Sequence, residues 1–135
     1  MSNSAVLVVD DNPANLKLIR VLLTANGFDV RTAANAEEAQ ATLRSCNPGI
    51  ILMDLQLPGM DGLELTRRLK RDPKTAGITI IAVTAYAMKN DDQRALASGC
   101  DDYVTKPIDV DTLPVLVSAW FEKRAQTQRG GVHEG

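Results

Sequence analysis

The chain has 135 residues, a length typical of one globular domain, and its formal net charge of −2 leaves no basic excess for nucleic-acid binding. Its longest apolar runs are the size of strands, well short of the roughly 20 residues that span a membrane, and its N-terminus lacks the features of a signal peptide. We therefore expect a cytoplasmic protein that binds neither nucleic acid nor a membrane, and we expect Cys46 and Cys100 to be free thiols.

Short apolar runs alternate with segments of helical periodicity, a pattern that predicts alternating strands and helices. The predicted strands are, in chain order, residues 5–9, 28–33, 50–53, 78–83 and 102–105. Three of them, 5–9, 50–53 and 78–83, are almost continuously apolar, as in strands that are covered on both faces. Polar residues alternate in 28–33, which indicates a more exposed position in the sheet.

Helix-start and helix-stop signals lie between these strands. Asn12 followed by Pro13 predicts the start of the first helix, and Gly27 predicts its end. Asn35 and Glu38 resemble a capping box at the start of the second helix. Further starts are predicted at Asp61 with Glu64 as its partner, at residues 90–92 before a helix that ends at Gly99, and no earlier than about Asp111 because of Pro114.

Strands that are separated by helix-length segments predict a parallel sheet with right-handed crossovers and helices on both faces. Among doubly wound α/β folds, the flavodoxin-like order 2-1-3-4-5 suits a chain of this size. The first and third strands are then neighbours, and their carboxyl ends lie where such sheets build binding sites. We expect one domain over residues 5–124 and a frayed tail over 125–135, because apolar periodicity is missing from Gln126 onward.

Polar side chains follow four of the five predicted strands at their carboxyl ends. Asp10 and Asp11 follow the first strand, Asp54 the third, Thr84 the fourth and Lys106 the fifth. Carboxylates that lie so close together repel one another unless a hard divalent cation or the Lys106 ammonium compensates. Aspartate beside such charges can attack phosphorus and form an aspartyl phosphate, so the sequence predicts phosphoryl transfer at this edge of the sheet.

Four segments together resemble the receiver domain of bacterial response regulators, over about residues 5 to 124. They are Val9-Asp10-Asp11-Asn12, Met53-Asp54 with Pro58-Gly59-Met60-Asp61-Gly62, Val83-Thr84-Ala85, and Tyr103-Val104-Thr105-Lys106-Pro107. The resemblance implies the CheY-like form of the fold. It also implies a response regulator of two-component or phosphorelay signalling, which takes a phosphoryl group from a phosphohistidine and switches conformation. Such a protein is not an enzyme beyond its own magnesium-dependent phosphorylation and dephosphorylation.

The resemblance further implies a role for each site residue. Asp54 is the phosphoacceptor and a ligand of Mg²⁺ (or Mn²⁺), Asp11 ligates the metal directly, and Asp10 does so through water. The other implied roles are a metal ligand at the backbone carbonyl of Gln56, an ion pair from Lys106 to Asp54 or its phosphate, a bond from Thr84 to the phosphoryl oxygen, an inward turn of Tyr103, and a cis peptide bond at Pro107. We add the hypothesis that Tyr86 shields the phosphate from water.

The resemblance implies two kinds of partner. A histidine kinase or a histidine phosphotransferase supplies the phosphoryl group, and a target protein binds the face that the family builds from its fourth helix, fifth strand and fifth helix. Here that face would include Tyr103, Arg94 and Asp109. The runs 51–58 and 82–89 are similar to those of single-domain cell-division regulators, and we expect a stand-alone receiver.

Three alternatives remain open at this point. A haloacid-dehalogenase-type phosphatase would carry a second acid where Gln56 stands. A flavodoxin-type flavin binder would need a phosphate-binding loop after the first strand and more aromatic residues than the 4% present here. The chain could also be a receiver from a hybrid kinase. Mechanisms with a core histidine base are excluded, because the only histidine, His133, lies in the polar tail.

Overall fold

The computed structural model describes residues 5–55, 62–84 and 99–134, with side chains as far as residue 125. Within these ranges the strands are β1 (Ala5–Val9), β2 (Asp29–Ala33), β3 (Ile50–Asp54), β4 (Thr79–Thr84) and β5 (Asp102–Thr105). They form one parallel sheet in the order β2-β1-β3-β4-β5, which confirms the predicted fold class and strand order. The polar strand β2 lies at one edge, as its alternating sequence indicates.

The described helices are α1 (Pro13–Ala25), α2 (Ala36–Ser45), α3 (Gly62–Arg71) and the C-terminal helix (Thr112–Glu134). Alternate residues of the strands point to opposite faces of the sheet, so the chain builds two cores. Leu7, Ile51 and Ile80 pack with α2 and α3, whereas their neighbours pack with α1 and the C-terminal helix on the other face. Within the described residues, no helix combines the length and the apolar character that crossing a membrane requires.

Local capping signals position the first two helices as the sequence predicts. The Asn12 side chain accepts a hydrogen bond from the Ala14 N–H at 2.9 Å, and the Asn35 side chain accepts one from the Glu38 N–H at 2.8 Å. The second bond of the capping box differs, because the Glu38 carboxylate accepts from Ala34, one residue before the cap. Gly27 has a φ of 91°, the left-handed conformation expected at the end of α1.

The last helix begins where the sequence predicts. It starts at Thr112, which leaves Pro114 in the first turn, where proline is tolerated. Apolar periodicity ends near Arg124, yet the backbone is helical to Glu134. Periodicity reports packing against a core, whereas helical backbone hydrogen bonds need no such packing. The division into a domain over residues 5–124 and a frayed tail over 125–135 therefore stays a prediction.

Candidate functional site

The parallel strands bring the sequence-predicted polar residues to one edge of the sheet. The register places Val9 opposite Met53 and Asp54 opposite Val83, so Asp10 and Asp54 lie at neighbouring strand ends. Thr84 pairs with Thr105 at the ends of β4 and β5, and Lys106 follows directly. Residues from four distant parts of the sequence therefore surround one site.

Lys106 joins two buried carboxylates. Its Nζ lies 3.3 Å from Oδ2 of Asp54 and 3.3 Å from Oδ2 of Asp10, and each aspartate is only 2% exposed. Partial burial by itself lowers the pKa of the Lys106 ammonium, but Asp54 and Asp10 outweigh this effect and raise the pKa above its ordinary value. Lys106 is therefore a permanent positive charge at the site near neutral pH.

Three carboxylates are close enough to share one cation. Oxygen atoms of Asp10, Asp11 and Asp54 all lie within 4.8 Å of one another, and Asp11 is exposed whereas the other two are buried. Hard divalent cations such as Mg²⁺ prefer oxygen ligands of this kind and keep several waters. The donor set therefore fits a magnesium ion that enters from the exposed side at Asp11.

The start of α1 orients Asp10. One Asp10 oxygen accepts a hydrogen bond from the Asn12 N–H at 2.9 Å, and the other accepts one from the Asn15 side-chain amide at 3.4 Å. The Asp10 N–H donates to the carbonyl of Ala33 at 3.1 Å. Sequence reasoning missed the contact from Asn15. Its position one turn into a helix that starts beside Asp10 is a signal that could have revealed it.

The first turn of α3 lies directly on the backbone of Asp54. A Cβ on Gly62 would overlap the Asp54 carbonyl oxygen and would lie 2.9 Å from the Cα of Leu55, so only glycine allows this approach. The Gly62 N–H donates to the carbonyl of Leu55, and the Thr66 hydroxyl donates to the carbonyl of Gly62 at 2.8 Å. These contacts, which the sequence did not reveal, hold the backbone around Asp54 in place.

The predicted switch pair lies on adjacent strands. Thr84 is 4% exposed, and its carbonyl accepts a hydrogen bond from the Lys106 N–H at 2.7 Å. Tyr103 is half-buried and pairs with Ala82, so Tyr103 and Thr84 occupy the same face of the sheet, over the core that α2 and α3 cover. The peptide bond between Lys106 and Pro107 is cis, as the resemblance implies.

Several predicted residues lie outside the described part of the chain. They are Gln56, Asp61, Tyr86, the helix start at 90–92 and Arg94. Asp109, which was expected on the partner face, is described and has a structural role. Its side chain accepts hydrogen bonds from the Asp111 N–H at 2.8 Å and the Thr112 N–H at 3.3 Å, so it caps the C-terminal helix.

Comparison with known proteins identifies the same family over most of the chain. The family model described as the response regulator receiver domain matches residues 6–118. The polar-differentiation response regulator DivK of Brucella anthropi is 45% identical over 106 residues, which cover 78% of this chain and 86% of that protein. DivK of Brucella ovis is 44% identical over the same length. The predicted likeness to single-domain cell-division regulators is thereby confirmed.

Solved structures agree in fold. A CheY-like receiver domain protein from Methanospirillum hungatei has a TM-score of 0.85 and 28% identity, covering 93% of this chain and 99% of its own. The receiver domain of a sensor histidine kinase from Pseudomonas aeruginosa has a TM-score of 0.81 and 30% identity, covering 90% and 99%. In that structure a magnesium ion is coordinated in the active site cleft.

Proposed function

This chain belongs to the response regulator receiver domain family of two-component signalling, and from that premise we propose that Asp54 accepts a phosphoryl group from a phosphohistidine of a partner protein. The observation that carries the proposal is the contact at 3.3 Å between the buried Asp54 carboxylate and the Lys106 ammonium, beside two further aspartates. A carboxylate in this setting is a nucleophile that neighbouring charges keep oriented.

The acidic cluster is the proposed magnesium site. Asp10, Asp11 and Asp54 would hold Mg²⁺ or Mn²⁺ together with the backbone carbonyl of Gln56, with Asp10 acting through water. The oxygen-only donor set and the magnesium of the Pseudomonas aeruginosa relative support this assignment. When bound, the ion neutralises charge on the phosphoryl oxygens.

Different residues of this chain have different roles in the phosphoryl transfer. An oxygen of Asp54 forms a bond to phosphorus while the phosphorus–nitrogen bond of the phosphohistidine breaks and the imidazole leaves. Lys106 stays protonated and pairs with the phosphoryl oxygens, because its raised pKa keeps the positive charge in place. Asn12 and Asn15 hold Asp10 in its orientation through their hydrogen bonds.

The output step would pass through Thr84 and Tyr103. We infer that the Thr84 hydroxyl binds a phosphoryl oxygen, that Tyr103 turns inward with it, and that both movements favour one of two existing conformations. A groove of about 650 Å³ lies beside this pair, with Tyr103, Val104, Ile108 and Leu116 in its lining. This face is the proposed contact for a target protein, and a histidine kinase or histidine phosphotransferase is the proposed phosphoryl donor. The proposed location of this chain is the cytoplasm.

Phosphorylation by a small acyl phosphate tests the assignment of Asp54. The wild-type protein with Mg²⁺ should gain the mass of one phosphoryl group, whereas Asp54→Asn should gain none. Asp29→Asn, which replaces an exposed aspartate of β2, is the matched control and should behave as wild type. Modification that persists in Asp54→Asn would refute the assignment, and steady turnover of a generic phosphomonoester would favour the phosphatase alternative instead.

A further inference from the structure

A groove of about 440 Å³ runs between α2 and α3, on the face of the sheet opposite α1 and the C-terminal helix. Its floor is apolar, with Leu65 and Leu69 buried and Leu43 partly exposed. None of the roles proposed for phosphorylation or output uses this groove. An apolar side chain of another molecule could pack on the exposed part of Leu43 and so be shielded from water.

The rim of the groove is positively charged. Arg44 on α2 and Arg68 on α3 lie on its two sides, and Lys74 lies at its end. Asp72 is the single carboxylate among the described residues that line the groove. All four side chains are exposed. The described lining residues thus have a net charge of +2, although the whole chain has a net charge of −2. Such a local reversal of sign favours an acidic partner.

Two of the rim cations are available to a ligand. Arg68 shares Glu64 with Arg67, at 3.2 Å in each pair. Among the described residues, by contrast, no carboxylate forms an ion pair with Arg44 or Lys74. Carboxylates of a partner would therefore pair with Arg44 and with Lys74 without breaking an existing described ion pair.

The end of the groove is held in shape before anything binds. The Thr75 hydroxyl donates to the carbonyl of Leu69 at 2.6 Å, and the Asp72 side chain accepts from the Lys74 N–H at 3.0 Å. Lys70 on α3 donates a hydrogen bond to the carbonyl of Ile78, the residue before β4, at 2.8 Å. A rim that is already ordered loses less conformational entropy when a ligand binds.

From this combination we propose that the groove between α2 and α3 binds a short acidic segment of a partner protein, with an aliphatic or aromatic side chain over Leu43 and carboxylates near Arg44 and Lys74. A nucleic acid fits less well, because the floor is made of leucines, the rim includes a carboxylate and no described aromatic side chain lines the groove. A partner bound in this groove would leave two other surfaces accessible, namely the side of the molecule that carries α1 and the C-terminal helix, and the groove beside Tyr103.

The test uses the full, unphosphorylated chain labelled for NMR and a short glutamate-rich peptide with a central pair of leucines. We expect the peptide to change the amide chemical shifts of α2, α3 and the turn after α3. We also expect the affinity to fall as the salt concentration rises. Arg44→Glu and Lys74→Glu should each weaken binding at least about threefold, and the double variant about tenfold. Arg20→Glu, an exposed reversal on α1, is the matched control and should bind as wild type.

Several outcomes would overturn the proposal. Amide chemical-shift changes that map elsewhere, or an equal loss of affinity in Arg20→Glu, would contradict the location of the site. Binding of a lysine-rich peptide or of single-stranded RNA with equal affinity would contradict the acidic partner. A wild-type dimer that the reversal variants fail to form would assign the groove to a second copy of this chain. If a reversal variant unfolds, Arg44→Gln and Lys74→Gln give the same comparison with a smaller expected effect. Replacing the peptide's leucines by serine should also weaken binding, and an unchanged affinity would contradict the role of Leu43.

Discussion

The ammonium nitrogen of Lys106 lies 3.3 Å from Oδ2 of Asp54, a residue 52 positions earlier in the chain. The same nitrogen lies 3.3 Å from Oδ2 of Asp10. One cation therefore compensates two carboxylates that are almost fully buried. Burial makes an uncompensated charge costly, so this contact links the stability of the fold to the chemistry of the site.

Removal of that cation should destabilise the protein. We expect Lys106→Met to lower the free energy of unfolding by about 1–3 kcal/mol at neutral pH without divalent cations, because two buried carboxylates lose their partner. Urea denaturation measures the change, with Lys17→Met, an exposed lysine of α1, as the control. Adding Asp54→Asn to Lys106→Met should recover part of the loss. Strictly additive effects of the two substitutions would show that the ion pair contributes nothing.

The approach of α3 to Asp54 predicts a specific effect of one methyl group. Gly62→Ala should lower the free energy of unfolding by about 1–3 kcal/mol and slow phosphorylation, because its Cβ would overlap the Asp54 carbonyl. Gly77→Ala is the matched control, since a Cβ there meets nothing within 4 Å. That variant should be as stable as wild type or slightly more stable. Equal behaviour of the two variants would contradict the close contact.

Magnesium should reverse the order of stability between the wild-type protein and the variant Asp11→Asn. Without divalent cations, Asp11→Asn should be at least as stable as wild type, because one of three mutually repelling carboxylates is neutral. With Mg²⁺ in excess, wild type should gain stability through ligand binding, whereas the variant should gain much less. Thermal unfolding with and without Mg²⁺ measures both effects. If Asp29→Asn lost the magnesium response to the same extent, the ion would not be held at the acidic cluster.

The two cysteines should differ in reactivity. Burial raises the pKa of the Cys100 thiol, and its hydrogen bond to Thr66 and the charge of Lys70 offset this only in part. Cys46 is partly exposed. Because the thiolate is the reactive form, Cys46 should be alkylated at least about tenfold faster than Cys100 in the folded protein. Mass spectrometry after a timed reaction with iodoacetamide identifies the modified residue, and preferential labelling of Cys100 would contradict the burial argument.

The raised pKa of the Cys100 thiol also predicts how the stability of the protein depends on pH. The folded pKa of Cys100 lies above the ordinary value of 9.0, so the folded state keeps its proton where the unfolded state has lost it. Its contribution to stability is therefore complete below about pH 9 and is lost as the pH rises toward the folded pKa. Between about pH 8 and pH 10, wild type should lose more stability than Cys100→Ala in urea denaturation. Parallel losses in the two proteins would show that Cys100 does not contribute.

Local signals in the sequence predicted much of this molecule. Asn12, Asn35 and Gly27 mark helix ends through hydrogen bonds or backbone conformations that involve only a few neighbouring residues. Continuous apolar runs predicted the buried strands, and alternation of strands and helices predicted a parallel sheet. The strand order followed from the doubly wound fold that suits a chain of this size. The order of the strands was enough to gather Asp10, Asp54, Thr84 and Lys106, because carboxyl ends of parallel strands meet at one edge.

Other features depend on how distant elements dock, and no local pattern encodes that. The sharing of Lys106 between Asp10 and Asp54, the seating of Gly62 on the Asp54 carbonyl, and the groove between α2 and α3 are set by strand register and helix placement. The sequence by itself determined which segments form strands and helices and which chemical groups end the strands. Only the tertiary structure decided the distances between those groups, because each distance results from many packing contacts between residues far apart in the chain.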